Sequence, residues 1–432
     1  MGAKLFNNKK LVNTLLFVVI VLLGLNYYST ISYVPFHPDE STYIYMSSDF
    51  HQLLTDPLSM IYRPEQQSDL KQHYRLIDPP LTRYVIGAGL SIAGIKSLSA
   101  DWDWKSTWDE NLELGTLPDK QMLLVSRISV SCLFLLALFA IFKTGVHLHN
   151  GLTGLIAMLL VGTSALILLH TRRAMEESLL LLGVSLALWC FTSINKRPWL
   201  AGLALVLAVN AKLSAAPLYF MGIAAILIMD TIQSINWSRR LINLLIYTSI
   251  LIIGTFILNP IAWNRPATVF QAAIQERNAL VSEQLTSLQN VDPQHALSRP
   301  GARIAGLITH LYFSQPAALD IGNYLEELKP SIEAYFALPV TSLLRGYIGG
   351  LVVFFLSLFG IILMLTKLLL HRNNPSRFWI VFLLGFTVFI TAMTATISLP
   401  FQRYVIPLLP FIYLFIAFGI SQVLMPNKKA PI

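Results

Sequence analysis

The chain has 432 residues, of which 55% are hydrophobic and 12% are charged. Soluble domains carry about 25% charged residues, so this composition excludes an ordinary soluble protein and indicates a polytopic membrane protein. The formal net charge of +8 is better explained by membrane orientation than by nucleic-acid binding, because the sequence has no patch of interleaved basic and aromatic residues.

About ten apolar runs predict membrane spans, since each is long enough, or nearly so, to cross a bilayer. The first is interpreted as a retained span because no small-residue cleavage site follows it. A further apolar helix at residues 80–98 is predicted to lie at the membrane interface without crossing. The predicted spans are residues 11–33, 122–142, 152–169, 178–194, 199–213, 215–231, 241–258, 346–366, 378–398 and 404–424.

The charges of the short loops predict the orientation. Lys and Arg mark the cytoplasmic side, and Lys143, Lys196 and Arg239 fall on one side if residues 80–98 do not cross. Both termini are then cytoplasmic, and two long loops, roughly residues 34–121 and 259–345, lie outside. Loops of this length are uncommon unless they are functional. The whole chain, residues 1–432, is predicted to form a single integral-membrane domain.

Two adjacent carboxylates, Asp39 and Glu40, lie a few residues beyond the first predicted span. Charges near a membrane boundary are costly and usually functional. Neighbours on a helix point about 100° apart, so one carboxylate can face a cavity while the other binds structure or a cation. The structural alternative is a helix start, because a Pro-Asp-Glu sequence suits the first turn of a helix.

A third carboxylate, Asp78, precedes Pro79 and Pro80. The prolines predict an extended entry followed by the first turn of a helix. An anion is favoured at that position by the helix dipole, which is the structural explanation of Asp78. The functional explanation places it in a site with Asp39.

Two arginines, Arg172 and Arg173, end the third predicted span on the outer side. They run against the basic-inside trend, so a phosphate or the loop carboxylates would explain them. The alternative is an ion pair with Glu176 or Glu177, which needs no ligand.

One further arginine, Arg403, begins the last span on the same side and is a candidate phosphate ligand. Snorkelling towards the lipid headgroups is the alternative. Lys212, between the fifth and sixth spans, is a similar case. The sequence contains no HExxH spacing, so it does not indicate a preformed zinc site. It has no glycine-rich nucleotide loop and no serine-nucleophile elbow, so the direct use of a nucleotide-sugar donor is not expected.

The ordered set of motifs resembles the GT-C glycosyltransferases, in particular the group of protein O-mannosyltransferases and aminoarabinose transferases. The matching segments are an acidic motif at residues 38–40, the Asp-Pro-Pro-Leu motif at 78–81 and the arginine motif at 172–176. Residues 259–260 and 403–404 also resemble family features. Asp78 stands where many relatives have His, Glu or Lys.

This resemblance implies an all-α membrane fold of about ten transmembrane helices, with juxtamembrane helices in the two outer loops. It implies an inverting transfer of a sugar from a polyprenyl-phosphate donor to a hydroxyl acceptor on the extracytoplasmic face of the cell membrane. The expected partners are the donor, the acceptor and the bilayer, without nucleic acid. The alternative is a transporter or flippase for a lipid-linked or anionic substrate, and a non-catalytic assembly subunit is a third interpretation.

The resemblance also implies roles for individual residues. Asp39 is expected to act as the general base, and the leaving phosphate would meet positive charge from the three arginines or from a divalent cation. The supporting carboxylates would orient these groups or hold the cation. The residues concerned are Asp39 and Glu40 for catalysis, Arg172, Arg173 and Arg403 for the donor phosphate, and Asp78 and Glu176 for support.

Overall fold

The computed structural model describes residues 9–66, 68–229, 237–291, 297, 299–320, 324–370 and 376–425. The structure is about 78% helical, and no strand occurs in these residues. The predicted all-α class is therefore confirmed.

The α-helices of the described residues are numbered in chain order. They are α1 (Lys9–Ser29), α2 (Pro38–Met46), α3 (Ser48–Thr55), α4 (Leu70–Ile77), α5 (Leu81–Ile92), α6 (Trp108–Glu113), α7 (Lys120–Ser131), α8 (Phe134–Leu148), α9 (Gly151–Gly162), α10 (Ala165–His170), α11 (Glu177–Phe191), α12 (Pro198–Ala211), α13 (Leu218–Ile228), α14 (Trp237–Leu258), α15 (Pro266–Val291), α16 (Pro300–Ile308), α17 (Leu325–Phe336), α18 (Gly346–Leu370), α19 (Arg377–Thr396) and α20 (Leu409–Leu424).

Six helical segments of the described chain are long and apolar enough to cross a membrane. The remaining predicted spans correspond to apolar helices of 10–17 residues, which are shorter than the roughly 20 residues that a crossing needs. The predicted count of about ten spans is therefore not confirmed. The six segments are Leu11–Tyr33, Lys120–Leu148, Trp237–Leu258, Gly346–Leu370, Arg377–Thr396 and Gln402–Leu424.

The third predicted span, residues 152–169, shows one reason why the count is not confirmed. It divides into α9 and α10, because Ser164 has an extended backbone, with φ −66° and ψ 119°, and interrupts the helix. Hydropathy does not detect such a break, since the residues on both sides of it remain apolar.

The core of the bundle is built around the segment Gln402–Leu424, which contains α20. The most apolar stretch of this segment is 89% buried, whereas that of α14 is only 11% buried. Helices α9 and α18 pack against α20, and α11 packs between α8 and α12. A small residue allows one of these close approaches: a Cβ atom at Gly183 of α11 would lie 2.5 Å from the Cα of Ala208 in α12. Close backbone approach of this kind is typical of helices packed in membranes.

The two predicted outer loops contain most of the remaining helices. Helices α2 to α6 come from the first loop, α15 to α17 come from the second, and α15 packs along α4. The 3₁₀ segment Gln402–Leu408 packs against α10, α11 and the 3₁₀ turn Leu213–Ala215. Segments that are far apart in sequence therefore meet at one end of the bundle.

The orientation of the bundle across the membrane stays a prediction, and cysteine labelling tests it. In a background with Cys132 and Cys190 replaced by serine, we expect Asp109→Cys to react with an impermeant maleimide from outside, and Lys196→Cys to react only after permeabilisation. Both positions are exposed. Labelling of both from the same side would contradict the topology. Asn373, another position assigned to the cytoplasm, lies outside the described residues.

Candidate active site

The acidic motif forms the start of helix α2. His37 is the N-cap, and its Nδ1 accepts a hydrogen bond from the backbone N–H of Asp39 at 3.2 Å. The Glu40 carboxylate accepts from the backbone N–H of His37 at 3.0 Å, which completes a capping box. The acidic motif therefore starts a helix, which agrees with the structural explanation of Asp39 and Glu40. The cap uses the backbone of Asp39 and leaves its side chain available.

The side chains of Asp39 and Glu40 diverge. The Asp39 side chain is 23% exposed, whereas that of Glu40 is fully buried at 0%. Consecutive positions on a helix point in different directions. Of the two carboxylates, Asp39 is therefore the one whose side chain is partly exposed.

Asp39 belongs to a cluster of charged groups that come from three parts of the chain. Its Oδ2 lies 2.5 Å from Nη1 of Arg403, and Nε of Arg403 lies 2.9 Å from Oδ2 of Asp320. Nε2 of His37 lies 3.4 Å from the same oxygen of Asp320. We call His37, Asp39, Asp320 and Arg403 the Arg403 cluster. It links the two outer loops to the last membrane helix.

The cluster controls the ionisation of Asp39. Burial raises the pKa of its carboxyl group, but the interactions with Arg403 and His37 together outweigh burial and hold the pKa below the usual value of 3.8. The pKa of Asp320 is also held below its usual value, because the effects of Arg403 and His37 exceed that of burial. Asp39 is therefore ionised at neutral pH and able to accept a proton.

Glu40 forms a separate buried network. Its two oxygens accept hydrogen bonds from Nε and Nη2 of Arg127 at 2.8 and 2.7 Å, and Oε1 also accepts from the backbone N–H of Ala174 at 2.8 Å. Arg127 also donates to the carbonyl of Val34 at 2.8 Å. With the cap of His37, these contacts use both carboxylate oxygens and join α2, α7 and the arginine motif.

Asp78 lies in front of α5, where the Asp-Pro-Pro-Leu motif was predicted to start a helix. Its Oδ1 is 3.7 Å from Nη1 of Arg277, which belongs to α15. Burial, and then the negative charge of Glu176, raise the pKa of Asp78 to about 7 despite the opposing effects of Arg277 and Arg83. Asp78 is therefore poised to change its charge near neutral pH.

Glu176 and Glu177 bind Lys212. The Nζ atom of Lys212 lies 2.9 Å from Oε2 of Glu176 and 2.7 Å from Oε1 of Glu177. The side chain of Lys212 also lies over the ring of Tyr404, with 5.4 Å between Nζ and the ring centroid. The two glutamates thus neutralise a lysine between α12 and α13.

Arg172 and Arg173 are both buried and their side chains diverge. Arg172 donates to the carbonyl of Asn26 at 3.0 Å and lies over the ring of Tyr27, with its Cζ 5.0 Å from the centroid. Arg173 donates to the carbonyl of Ala318. The structure therefore brings Arg403 into contact with Asp39, while Arg172 and Arg173 hold backbone segments behind it.

Four residues of these charged networks were not assigned a role from the sequence: His37, Arg127, Arg277 and Asp320. Arg127 had a signal, because it lies inside predicted span 122–142, where a charged side chain needs a partner. The sequence around Arg277 and Asp320 contains no comparable signal. They lie in the long second outer loop, and only the tertiary fold brings them to Asp39 and Asp78.

Three residues of the Arg403 cluster are placed so that they could hold a metal ion. One ligand atom from each of His37, Asp39 and Asp320 lies within 4.8 Å of the others. Imidazole and carboxylate are ligands that suit Zn²⁺ and Mn²⁺. The same carboxylates contact Arg403, so a metal ion and the guanidinium would compete for this space.

The fold has counterparts among solved structures. The oligosaccharyltransferase of Archaeoglobus fulgidus in complex with Zn and sulfate has a TM-score of 0.53 and 13% identity, and the match covers 94% of this chain and 49% of that one. The same protein tethered to an acceptor peptide with the NVT sequon has a TM-score of 0.53 and 13% identity over 96% and 50% of the two chains. The chain spans about half the length of these structures.

A third structure gives the same result. It is AglB from Archaeoglobus fulgidus in complex with an inhibitory peptide and a dolichol-phosphate, with a TM-score of 0.50 and 11% identity over 95% and 50% of the two chains. AglB is a GT-C glycosyltransferase. The shared property is the fold. No family model matches the chain, and no curated relative matches it either. The mannosyltransferase and aminoarabinose-transferase subgroup suggested by the motifs is therefore not confirmed.

Proposed function

We propose that the chain is a multi-pass membrane glycosyltransferase that moves a sugar from a polyprenyl-phosphate donor to a hydroxyl acceptor. The reaction is proposed to take place on the extracytoplasmic face, with inversion at the anomeric carbon. One observation carries the proposal: the predicted base, Asp39, lies partly exposed beside Arg403 and Asp320 at the end of the bundle where both outer loops meet. The fold shared with AglB, whose structure contains a dolichol-phosphate, supports the lipid-linked donor.

The proposed reaction is a single displacement. The acceptor oxygen attacks the anomeric carbon, the bond from that carbon to the phosphate oxygen breaks, and polyprenyl phosphate leaves with the electron pair. Asp39 takes the proton of the acceptor hydroxyl. The low pKa of Asp39 makes it a weak base, so proton transfer would occur late, when the attacking oxygen has become acidic. Glu40 is proposed to position α2, since its oxygens are used by the fold.

The leaving phosphate needs accessible positive charge, and exposure decides which cation supplies it. The Arg277 side chain is 42% exposed and pairs with Asp78 at 3.7 Å, whereas that of Arg403 is 15% exposed and contacts two carboxylates. We therefore propose Arg277 as the direct phosphate ligand. Arg172 and Arg173, together with Arg403, would contribute positive potential behind the site.

A transfer assay tests this function. Purified chain would be incubated with a panel of radiolabelled polyprenyl-phosphate hexoses and pentoses and with membrane extracts as the acceptor source. We expect one donor to be consumed, with release of polyprenyl phosphate and a product of inverted anomeric configuration. If no donor is consumed but one crosses the bilayer of proteoliposomes that contain the chain, the transporter alternative would replace the proposal.

The pKa of about 7 for Asp78 predicts a pH-dependent donor affinity. Protonated Asp78 leaves Arg277 free for the phosphate, whereas ionised Asp78 competes for Arg277 and repels the donor. We expect the KM for the donor to rise by about tenfold between pH 6 and pH 8, as for a single group with this pKa. Asp78→Asn should flatten this dependence, as measured by initial rates at several pH values.

Two further measurements support the interpretation of this pH effect. Arg277→Gln should raise the KM at every pH and weaken its pH dependence, because only the repulsion by Asp78 would then remain. Arg265→Gln, which alters an exposed arginine just before α15, should change neither. The folded chain retains a proton on Asp78 between about pH 4 and pH 7 that the unfolded chain has released. Stability should therefore fall as pH rises through this window, and less so in Asp78→Asn. An unchanged pH profile in Asp78→Asn would contradict the assignment.

A further inference from the structure

The Arg403 cluster contains one cation between two carboxylates that are far apart in sequence. The guanidinium contacts Asp39 through Nη1 at 2.5 Å and Asp320 through Nε at 2.9 Å. Its position spans the two acidic members of the group that could hold a metal ion. An arginine remains charged at every physiological pH, so this positive charge is always present.

The hydrogen bonds of His37 oppose metal binding in this arrangement. Nδ1 of His37 accepts the backbone N–H of Asp39 at 3.2 Å, so this nitrogen carries no proton. The proton of the neutral ring is then on Nε2, which faces Oδ2 of Asp320 at 3.4 Å. A metal-bound histidine instead donates its second ring N–H to an acceptor. In His37 the unprotonated nitrogen already accepts a backbone hydrogen bond, and the protonated nitrogen faces the candidate metal position. The ring therefore does not have the arrangement of a metal ligand.

The charges lead to the same conclusion. Asp39 and Asp320 together carry two negative charges, and the guanidinium already neutralises one of them. A divalent ion between the same oxygens would lie within a few ångströms of the guanidinium, and the repulsion would weaken its binding strongly. The ion would therefore have to displace Arg403 and reverse the histidine cap.

We propose that Arg403 is a built-in cation that takes the place of a divalent metal ion between Asp39 and Asp320. Arg403 holds one oxygen of Asp39 and leaves the other for the acceptor, which makes it a positioning residue for the base. The catalytic part of this inference rests on the proposed function. The exclusion of metal from the cluster does not depend on it, because it follows from the contacts alone.

Metal retention tests the exclusion without any glycosyl donor. The full chain in detergent would be stripped with EDTA, incubated with Zn²⁺ or Mn²⁺, desalted and analysed by mass spectrometry for bound metal. We expect no stoichiometric metal on the wild-type cluster. Arg403→Met keeps the histidine cap but should bind metal through Asp39 and Asp320 about tenfold more tightly than the wild type, or better, because the competing charge is gone. Adding Asp320→Asn to Arg403→Met should remove the new site.

Two other variants control for fold damage. Arg403→Lys keeps a positive charge and should still exclude the metal. Arg303→Met removes an arginine whose guanidinium donates to the carbonyls of Leu297 and Ala395, and it should bind no additional metal. Stoichiometric binding by the wild type that Asp320→Asn abolishes would overturn the proposal. A folded Arg403→Met protein that gains no metal affinity would overturn it as well.

Measurements of sugar transfer with and without EDTA separate this inference from the proposed function. Wild-type transfer should persist in EDTA, whereas Arg403→Met should lose activity and regain part of it on addition of Zn²⁺ or Mn²⁺. If no transfer is found with any donor, the proposed function fails while the metal measurements still decide the role of Arg403. Loss of wild-type transfer in EDTA, with recovery on adding the metal back, would instead refute the built-in cation.

Discussion

Asp39→Asn is expected to lower the rate of sugar transfer by about 10²–10⁴-fold, the range associated with loss of a general base. Asparagine has nearly the same shape as aspartate and preserves the backbone N–H that caps onto His37. It cannot take up a proton. The effect should therefore fall on kcat, with little change in the KM for the donor. Initial rates at saturating donor and acceptor measure it.

The matched control for this variant is Asp109→Asn, an exposed aspartate of the first outer loop. This control should leave the rate within a few-fold of wild type. Removal of a negative charge from this loop would then not explain the rate loss expected for Asp39→Asn. Both proteins should elute as the wild type does in size-exclusion chromatography. If Asp39→Asn keeps near-normal activity, Asp39 is not the base and its motif serves only to start α2.

The sequence was most informative where a charged residue lies beside an apolar run. Carboxylates and arginines beside apolar runs drew attention to Asp39, Asp78 and Arg403, and the structure places Asp39 and Arg403 in contact. Composition and hydropathy also predicted the helical class. These features are local, because burial of a charge is costly wherever the chain folds.

The partners were harder to predict, because they depend on the tertiary structure. The suggested ion pair of Arg172 or Arg173 with the following glutamates does not describe this site, since Glu176 and Glu177 bind Lys212. Lys212 lies more than thirty residues away along the chain, and helix packing brings it there. Single-residue patterns show that a charge needs a partner, but they do not identify which distant residue provides it.

The predicted number of membrane spans is not confirmed for a related reason. Hydropathy averages over a window and therefore joins α9 and α10, although the backbone at Ser164 separates them. Helices that are buried inside the bundle are as apolar as helices that face lipid. Short buried helices such as α11 and α12 consequently resemble spans in sequence while being only 15 and 14 residues long.

Glu40→Gln is expected to destabilise the fold strongly, because it leaves the buried Arg127 without its counter-charge. Breaking one side of a buried ion pair costs about 3–5 kcal/mol. Both charges lie in a network that also fixes the backbone of Ala174 and the residues before α2. We expect a marked fall in the thermal midpoint of the detergent-solubilised protein and a lower yield of monodisperse chain, even before any activity is measured.

A second capping box provides the matched control for this prediction. Glu110 accepts a hydrogen bond from the backbone N–H of Thr107 at 2.7 Å, in the same geometry as Glu40 but on the surface. Glu110→Gln should therefore cost far less, since water replaces an exposed contact. The double variant Glu40→Gln/Arg127→Met should recover part of the lost stability, because no unpaired charge stays buried. If Glu40→Gln melted at the wild-type temperature, the ion pair would not stabilise the fold. A lower melting temperature in the double variant than in Glu40→Gln would show that the carbonyl contacts of Arg127 matter more than its charge.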